Sequence, residues 1–109
     1  MTDLEITRLC AEAMGLPTDV AQSDETGPYL KCSRYHRYQP LHDDAQAMAL
    51  VKRFSLAIQP PQFVSPPRWH VWRHPRPSYT GVADILNLNR AICECVAKMR
   101  GSNESSQPG

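Results

Sequence analysis

The sequence has only five glycines, and no two of them lie close together. A phosphate-binding loop needs clustered glycines, because its backbone must approach the anion closely. Cysteines and histidines number four each, yet no pair has CxxC spacing. His70 and His74 have HxxxH spacing, but Pro75 and Pro77 disfavour the helix that would bring them together. We therefore predict no metal ion and no cofactor.

Long apolar runs are also absent, since none approaches the ~20 residues that span a bilayer. The stretch MTDLEITRLC lacks the basic and then apolar pattern of a secretory signal. We therefore expect a protein of the cytoplasm, in which the cysteines are free thiols. With 109 residues, 41% of them hydrophobic, the chain has room for one globular domain.

No grouping of side chains with a catalytic pattern stands out. Asp43 and Asp44 are adjacent, but neighbouring residues on a helix point in different directions, and helix capping explains both. Cys10 and Cys95 lie on apolar helical stripes, where cysteine behaves as a small core residue. We therefore predict that the protein is not an enzyme.

Apolar periodicity predicts three amphipathic helices, with N-caps at Thr2, Asp43 and Asn87. The first should end at Gly15 and the third at Gly101. Shared helical phases predict four core residues: Leu50, Phe54, Ile92 and Val96. We predict a single domain over residues 1–100 and a disordered tail over 101–109, which has no apolar residue.

Three short stretches have the composition of strands, namely Tyr29–Cys32, Ser55–Ile58 and the alternating residues from Trp69 to His74 in the stretch RWHVWRHPRP. In the third, Trp69 shares its phase with Val71, whereas Trp72 shares its phase with two histidines. We expect Trp69 to face the core and Trp72 to be the more exposed. The fold prediction is α+β, with three helices layered on a mainly antiparallel sheet of three or four strands.

Charge is distributed unevenly along the chain. Residues 1–30 carry a net charge of −5 and residues 31–80 a net charge of +6. Oppositely charged parts of one domain would attract each other, and a basic face could alternatively bind a partner. The candidate binding surface combines cations with aromatic rings: Arg34, Tyr35, Arg37, Tyr38, His70, Trp72 and Arg73. Such residues can stack on bases and contact phosphate, so a small nucleotide- or nucleic-acid-binding module is one hypothesis.

The stretches EITRLCAEAMG, LHDDAQAMALVKRF and LNRAICECVAKM resemble small bacteriophage and prophage proteins grouped as the phage ABA sandwich domain. The resemblance covers most of residues 1–100 and is closest in the helices. It implies helices layered on a small sheet, in a phage accessory protein of undefined biochemical role. Without a catalytic grouping, the function that we expect is non-enzymatic binding of a host macromolecule, such as a defence or regulatory component. The small core would also favour a homodimer formed through an exposed apolar face.

Overall fold

The structure is a computed structural model, and it describes residues 2–18, 20–25, 27–31, 37–60, 68–73, 80–84 and 87–105. Within it, the segments 80–84 and 102–105 are described by their backbone alone. The elements in chain order are α1 (Asp3–Ala13), β1 (Ala21–Asp24), β2 (Gly27–Leu30), α2 (Asp44–Phe54), β3 (Leu56–Gln59), β4 (Arg68–Arg73), β5 (Thr80–Asp84) and α3 (Leu88–Ser105).

The predicted α+β class with three helices is confirmed for the described part of the chain. Its five strands form two antiparallel sheets, a β1–β2 hairpin and a sheet with the order β3-β4-β5, rather than one sheet. Neither β1 nor β5 was predicted from the sequence. All four residues of β1 are exposed, and their sequence, AQSD, does not alternate between apolar and polar residues. The sequence pattern therefore does not indicate a strand there.

Both ends of α1 follow from local sequence. The Oγ1 atom of Thr2 accepts a hydrogen bond from the backbone N–H of Glu5, as predicted for the N-cap. At the other end Gly15 has a φ of +75°, in the left-handed region that glycine adopts without strain. The amides of Gly15 and Leu16 donate to the carbonyls of Glu12 and Ala11, which is the Schellman arrangement.

The start of α2 is also as predicted, because Asp43 Oδ1 accepts a hydrogen bond from the backbone N–H of Gln46 at 2.9 Å. The end of α3 is not. Gly101 was expected to terminate α3, but the helix continues to Ser105. A glycine inside a helix costs only about 1 kcal/mol, so Gly101 lowers helix propensity without forcing the helix to end. Residues 106–109 of the predicted tail lie outside the described residues.

The core is organised around α3, which packs against α1, α2, β4 and β5. Buried residues therefore lie on nearly every side of this helix: Ala91, Ile92, Cys93, Cys95, Val96, Ala97 and Met99. Of the four predicted core residues, Leu50, Ile92 and Val96 are buried, and Phe54 is half-buried against the core. A helix buried on several faces is central to a domain rather than a cover for one side of a sheet.

Ion pairs join α1 to α3 at both ends. Arg90 contacts Asp3 at 2.9 Å and also Glu94, while Arg100 contacts Glu12 at 3.4 Å. The packing of α3 on α1 brings the arginines of α3 to these acids, and local spacing alone cannot reveal that contact.

Candidate functional site

The hairpin contacts one residue of the predicted binding surface, Arg37. The Arg37 guanidinium lies over the Tyr29 ring, 4.0 Å from the ring centroid, and forms an ion pair with Asp24. The hydrogen bond with Asp24 raises the pKa of Arg37. Tyr29 in turn donates a hydrogen bond from its hydroxyl to Gln22 Oε1 at 2.7 Å. This ion pair joins the basic segment 31–80 to the acidic segment 1–30. It is the kind of contact expected if the two segments attract each other within one domain.

Tyr38 was predicted to lie on the binding surface, and this prediction is wrong. Its side chain is 1% exposed and belongs to the core. The backbone of Tyr38 exchanges two hydrogen bonds with Leu30 of β2, at 3.0 and 2.6 Å. Because adjacent residues of an extended chain point in opposite directions, this pairing turns Tyr38 inward and leaves Arg37 outside.

The other predicted surface residues that the structure describes lie on β4. Val71 is buried and Trp69 packs against the core, so the predicted inner face is observed. On the opposite face His70 and Trp72 are half-buried rather than open, and the His70 Nε2 atom is buried with no hydrogen-bond partner among the described residues. Arg73, at the end of the strand, is exposed.

The members of the predicted surface that the structure describes lie on different parts of the fold. The β2 strand, which carries the Arg37–Tyr29 stack, packs on α1, whereas β4 packs on α3. The remaining members, Arg34 and Tyr35, lie outside the described residues. Of the seven predicted surface residues, Arg37 and Arg73 are the two that the structure shows to be exposed; Arg37 lies beside the β1–β2 hairpin, whereas Arg73 lies at the end of β4.

A cleft that the sequence reading missed lies where α2 and α3 begin. Its volume is about 330 Å³, within the range of pockets that hold a ligand or a partner side chain. Its apolar lining comes from both helices and the turn before α2: Leu41, Met48, Leu88 and Ile92. Met48 is 42% exposed and, with Val20, is one of two large apolar side chains that are exposed among the described residues. In the sequence, Met48 falls outside the helical phase of the buried residues Ala47 and Leu50, and this phase indicates an exposed apolar side chain.

The rim of this cleft is polar and carries one negative charge. Asp44 Oδ1 accepts a hydrogen bond from the Asn89 side-chain amide at 2.8 Å, which ties α2 to α3 across the cleft. Asn87 completes the polar lining, and Asp44 is the one charged residue among the described lining residues. An apolar floor with a few polar groups at its edge can seat an apolar side chain and fix its orientation by hydrogen bonds.

Arg73 lines a second, smaller cavity. Its volume is about 120 Å³, and it is lined by residues of α1, α2, β4 and α3: Ala13, Phe54, Arg73, Val96, Met99 and Arg100. This volume is below the several hundred Å³ that are typical of small-molecule sites. Arg100 is engaged with Glu12. We therefore regard the cavity as part of the packing between β4 and the helices.

Three cysteines lie in the core, where they act as apolar side chains. The thiol of Cys10 donates to the backbone carbonyl of Cys93 at 3.5 Å, across the α1–α3 contact. A hydrogen bond with Cys93 and burial raise the pKa of Cys10 well above its usual value, and burial raises the pKa of Cys95 to about 11. Protonated, buried thiols are poor nucleophiles and poor metal ligands.

Two further observations concern the part of the chain that the structure describes. No group of three histidine, cysteine or acidic side chains there is placed to hold a metal ion. None of its helices has both the length and the apolar character needed to cross a membrane.

Comparison with known proteins adds no relative. The chain matches no family model, no curated protein and no solved structure.

Proposed function

We propose that this protein is a non-enzymatic accessory protein that binds a host protein through the α2–α3 cleft. The observation that carries the proposal is the exposed Met48 side chain above an apolar floor. Methionine is flexible and polarisable, so it adapts to the shape of a partner. The phage origin and the host partner rest on the resemblance of the helices to phage ABA sandwich proteins.

The cleft defines the chemistry of the partner segment. Its apolar floor requires an apolar side chain, whose burial would cover Met48 and Leu88. At the rim, Asp44 is exposed and carries the one charge among the described lining residues. A lysine or arginine beside the apolar residue of the partner would complement that charge. The segment that we propose therefore carries an apolar anchor next to a basic residue.

The hypothesis of a nucleic-acid-binding module has less support. It needs aromatic rings and cations on one surface, whereas Tyr38 is buried and Arg37 is paired with Asp24. The α2–α3 cleft is acidic at its rim, which would repel phosphate.

The experiment is capture of partners from host lysate with the tagged protein and two matched variants. Met48→Glu places a charge on the cleft, and Val20→Glu places the same charge on the other large exposed apolar residue, far from α2 in the chain. We expect a protein captured by the parent and by Val20→Glu, but not by Met48→Glu. Asp44→Asn should weaken the same capture and reduce its dependence on salt, because it removes the proposed ionic contact.

Equal capture by Met48→Glu and by the parent would contradict the cleft as the binding site. Capture of nucleic acid whose affinity falls steeply with salt, and which persists in Met48→Glu, would favour the alternative hypothesis. Circular dichroism of each variant checks that a lost partner does not reflect lost folding.

A further inference from the structure

The hydrogen-bonding pattern of the hairpin leaves one edge of β1 open. Leu30 uses its N–H and C=O to bond Tyr38, on the side of β2 away from β1. Leu30 and its partner Ala21 are therefore a non-hydrogen-bonded pair, and the polar groups of Ala21 point away from β2. Ser23, two residues further along β1, has the same orientation.

Two further contacts agree with this assignment. The backbone N–H of Lys31 donates to the carbonyl of Val20 at 3.0 Å, so Val20 is bonded within the hairpin and its neighbour Ala21 is not. Pro28, the partner of Ser23, has no N–H, and its carbonyl accepts from Gln39 Nε2 at 3.3 Å on the far side of β2. The outer edge of β2 is thus covered by Tyr38 and Gln39.

No described residue covers the outer edge of β1 in this way. Among the described residues its ladder partner is β2 alone, and all four β1 residues are exposed. Ala21 and Ser23 are small, so a second strand could approach the backbone without displacing a large side chain. An open edge with outward N–H and C=O groups is a template for another strand.

We propose that β1 pairs with the β1 strand of a second copy of this chain. In an antiparallel arrangement with its two-fold axis at Gln22, Ala21 faces the second copy's Ser23, and Ser23 faces the second copy's Ala21. Both facing residues have outward N–H and C=O groups, so this register forms two hydrogen-bonded pairs. The edge is therefore complementary to itself, as a two-fold interface requires.

Electrostatic repulsion between the two copies is weak in this register. Asp24 faces the second copy's Val20, an apolar residue that is 43% exposed in the single chain. The Asp24 residues of the two copies are then four positions apart, about 13 Å along the strands. That separation exceeds the screening length of ~8 Å at physiological ionic strength, so repulsion between them is small.

The paired strands are short, and the contact is smaller than the ~1,200 Å² of a standard stable interface. We therefore expect a reversible dimer that forms at high protein concentration. The β1 edge and the α2–α3 cleft share no residue, so dimerisation can be tested without reference to the proposed host partner.

The test is sedimentation equilibrium of the purified chain between about 20 µM and about 1 mM, a range suited to weak association. The average mass should rise from 12.3 kDa towards that of the dimer. Ser23→Pro removes one outward N–H without removing a hydrogen bond of the β1–β2 ladder, and it should abolish the rise. Ser23→Thr retains the N–H and is the matched control, which should dimerise like the parent.

Amide hydrogen exchange gives a second measurement on the unmodified chain. Protection of the Ala21 and Ser23 amides should increase with concentration, whereas the Gln22 amide, which faces β2, should be protected throughout. A constant mass of 12.3 kDa over this range would overturn the proposal. So would dimerisation that Ser23→Pro leaves unchanged, or that proceeds without protection of the Ala21 and Ser23 amides.

Discussion

Gln46 Oε1 accepts a hydrogen bond from the backbone N–H of Gln39 at 2.6 Å, and both residues are buried. The Gln46 Nε2 atom donates to the carbonyl of Arg37 at 2.8 Å. Gln39 extends the connection by donating from its side chain to Pro28. One glutamine of α2 therefore positions the backbone of the segment that pairs with β2, and with it the orientation of Arg37.

Replacing Gln46 with Ala should reduce the free energy of unfolding by ~1–3 kcal/mol, because it leaves the buried N–H of Gln39 without its acceptor. Urea denaturation measures the change. Gln22→Ala is the control, because Gln22 is exposed and its hydrogen bond with Tyr29 is also exposed to water. Its effect on the free energy of unfolding should be clearly smaller than that of Gln46→Ala. If the two variants unfold alike, Gln46 does not have this structural role.

Ile92→Ala should destabilise the protein by ~2–5 kcal/mol, since Ile92 is 1% exposed and lies on the central helix. Thermal unfolding should show a clear fall in Tm relative to the parent. Met48→Ala, in which an exposed side chain of the same cleft is shortened, serves as the control and should have a much smaller effect. A melt of Ile92→Ala that overlays the parent would contradict the packing of α3.

Trp69→Ala should destabilise by about 3 kcal/mol, and Trp72→Ala by less, because Trp69 shares the inner face of β4 with buried Val71. Both indoles are half-buried, so iodide should reach both of them. It should quench Trp72 more strongly than Trp69, because Trp69 lies on the inner face. Fluorescence quenching of the two single-tryptophan variants measures that access. Stronger protection of the indole of Trp72 would be inconsistent with the register of β4.

Stability should fall at alkaline pH through Cys95. Burial raises its pKa from 9.0 to about 11, so the unfolded chain loses the thiol proton at lower pH than the folded chain. The contribution of the protonated thiol is complete below pH 9.0 and is lost as the pH rises towards 11. Urea midpoints of the parent and of Cys95→Ala should therefore converge over this window. A constant difference between them would show that Cys95 is not protected from ionisation by burial.

The sequence by itself determined the helices and several of their ends. Thr2 caps α1, Asp43 caps α2 and Gly15 ends α1, because capping depends on hydrogen bonds among residues close in sequence. Helical periodicity likewise identified Leu50, Ile92 and Val96 as core residues. The inner face of β4 followed from the same reasoning at a period of two.

Tertiary structure decided the features that join distant parts of the chain. It buried Tyr38 by pairing its backbone with Leu30, although the sequence around Tyr38 has the composition of an exposed basic surface. It also formed the α2–α3 cleft by placing Asp44 beside Asn89, 45 positions away in the chain. Contacts of this kind depend on how helices and strands pack, and neither the spacing nor the composition of a single segment contains that information.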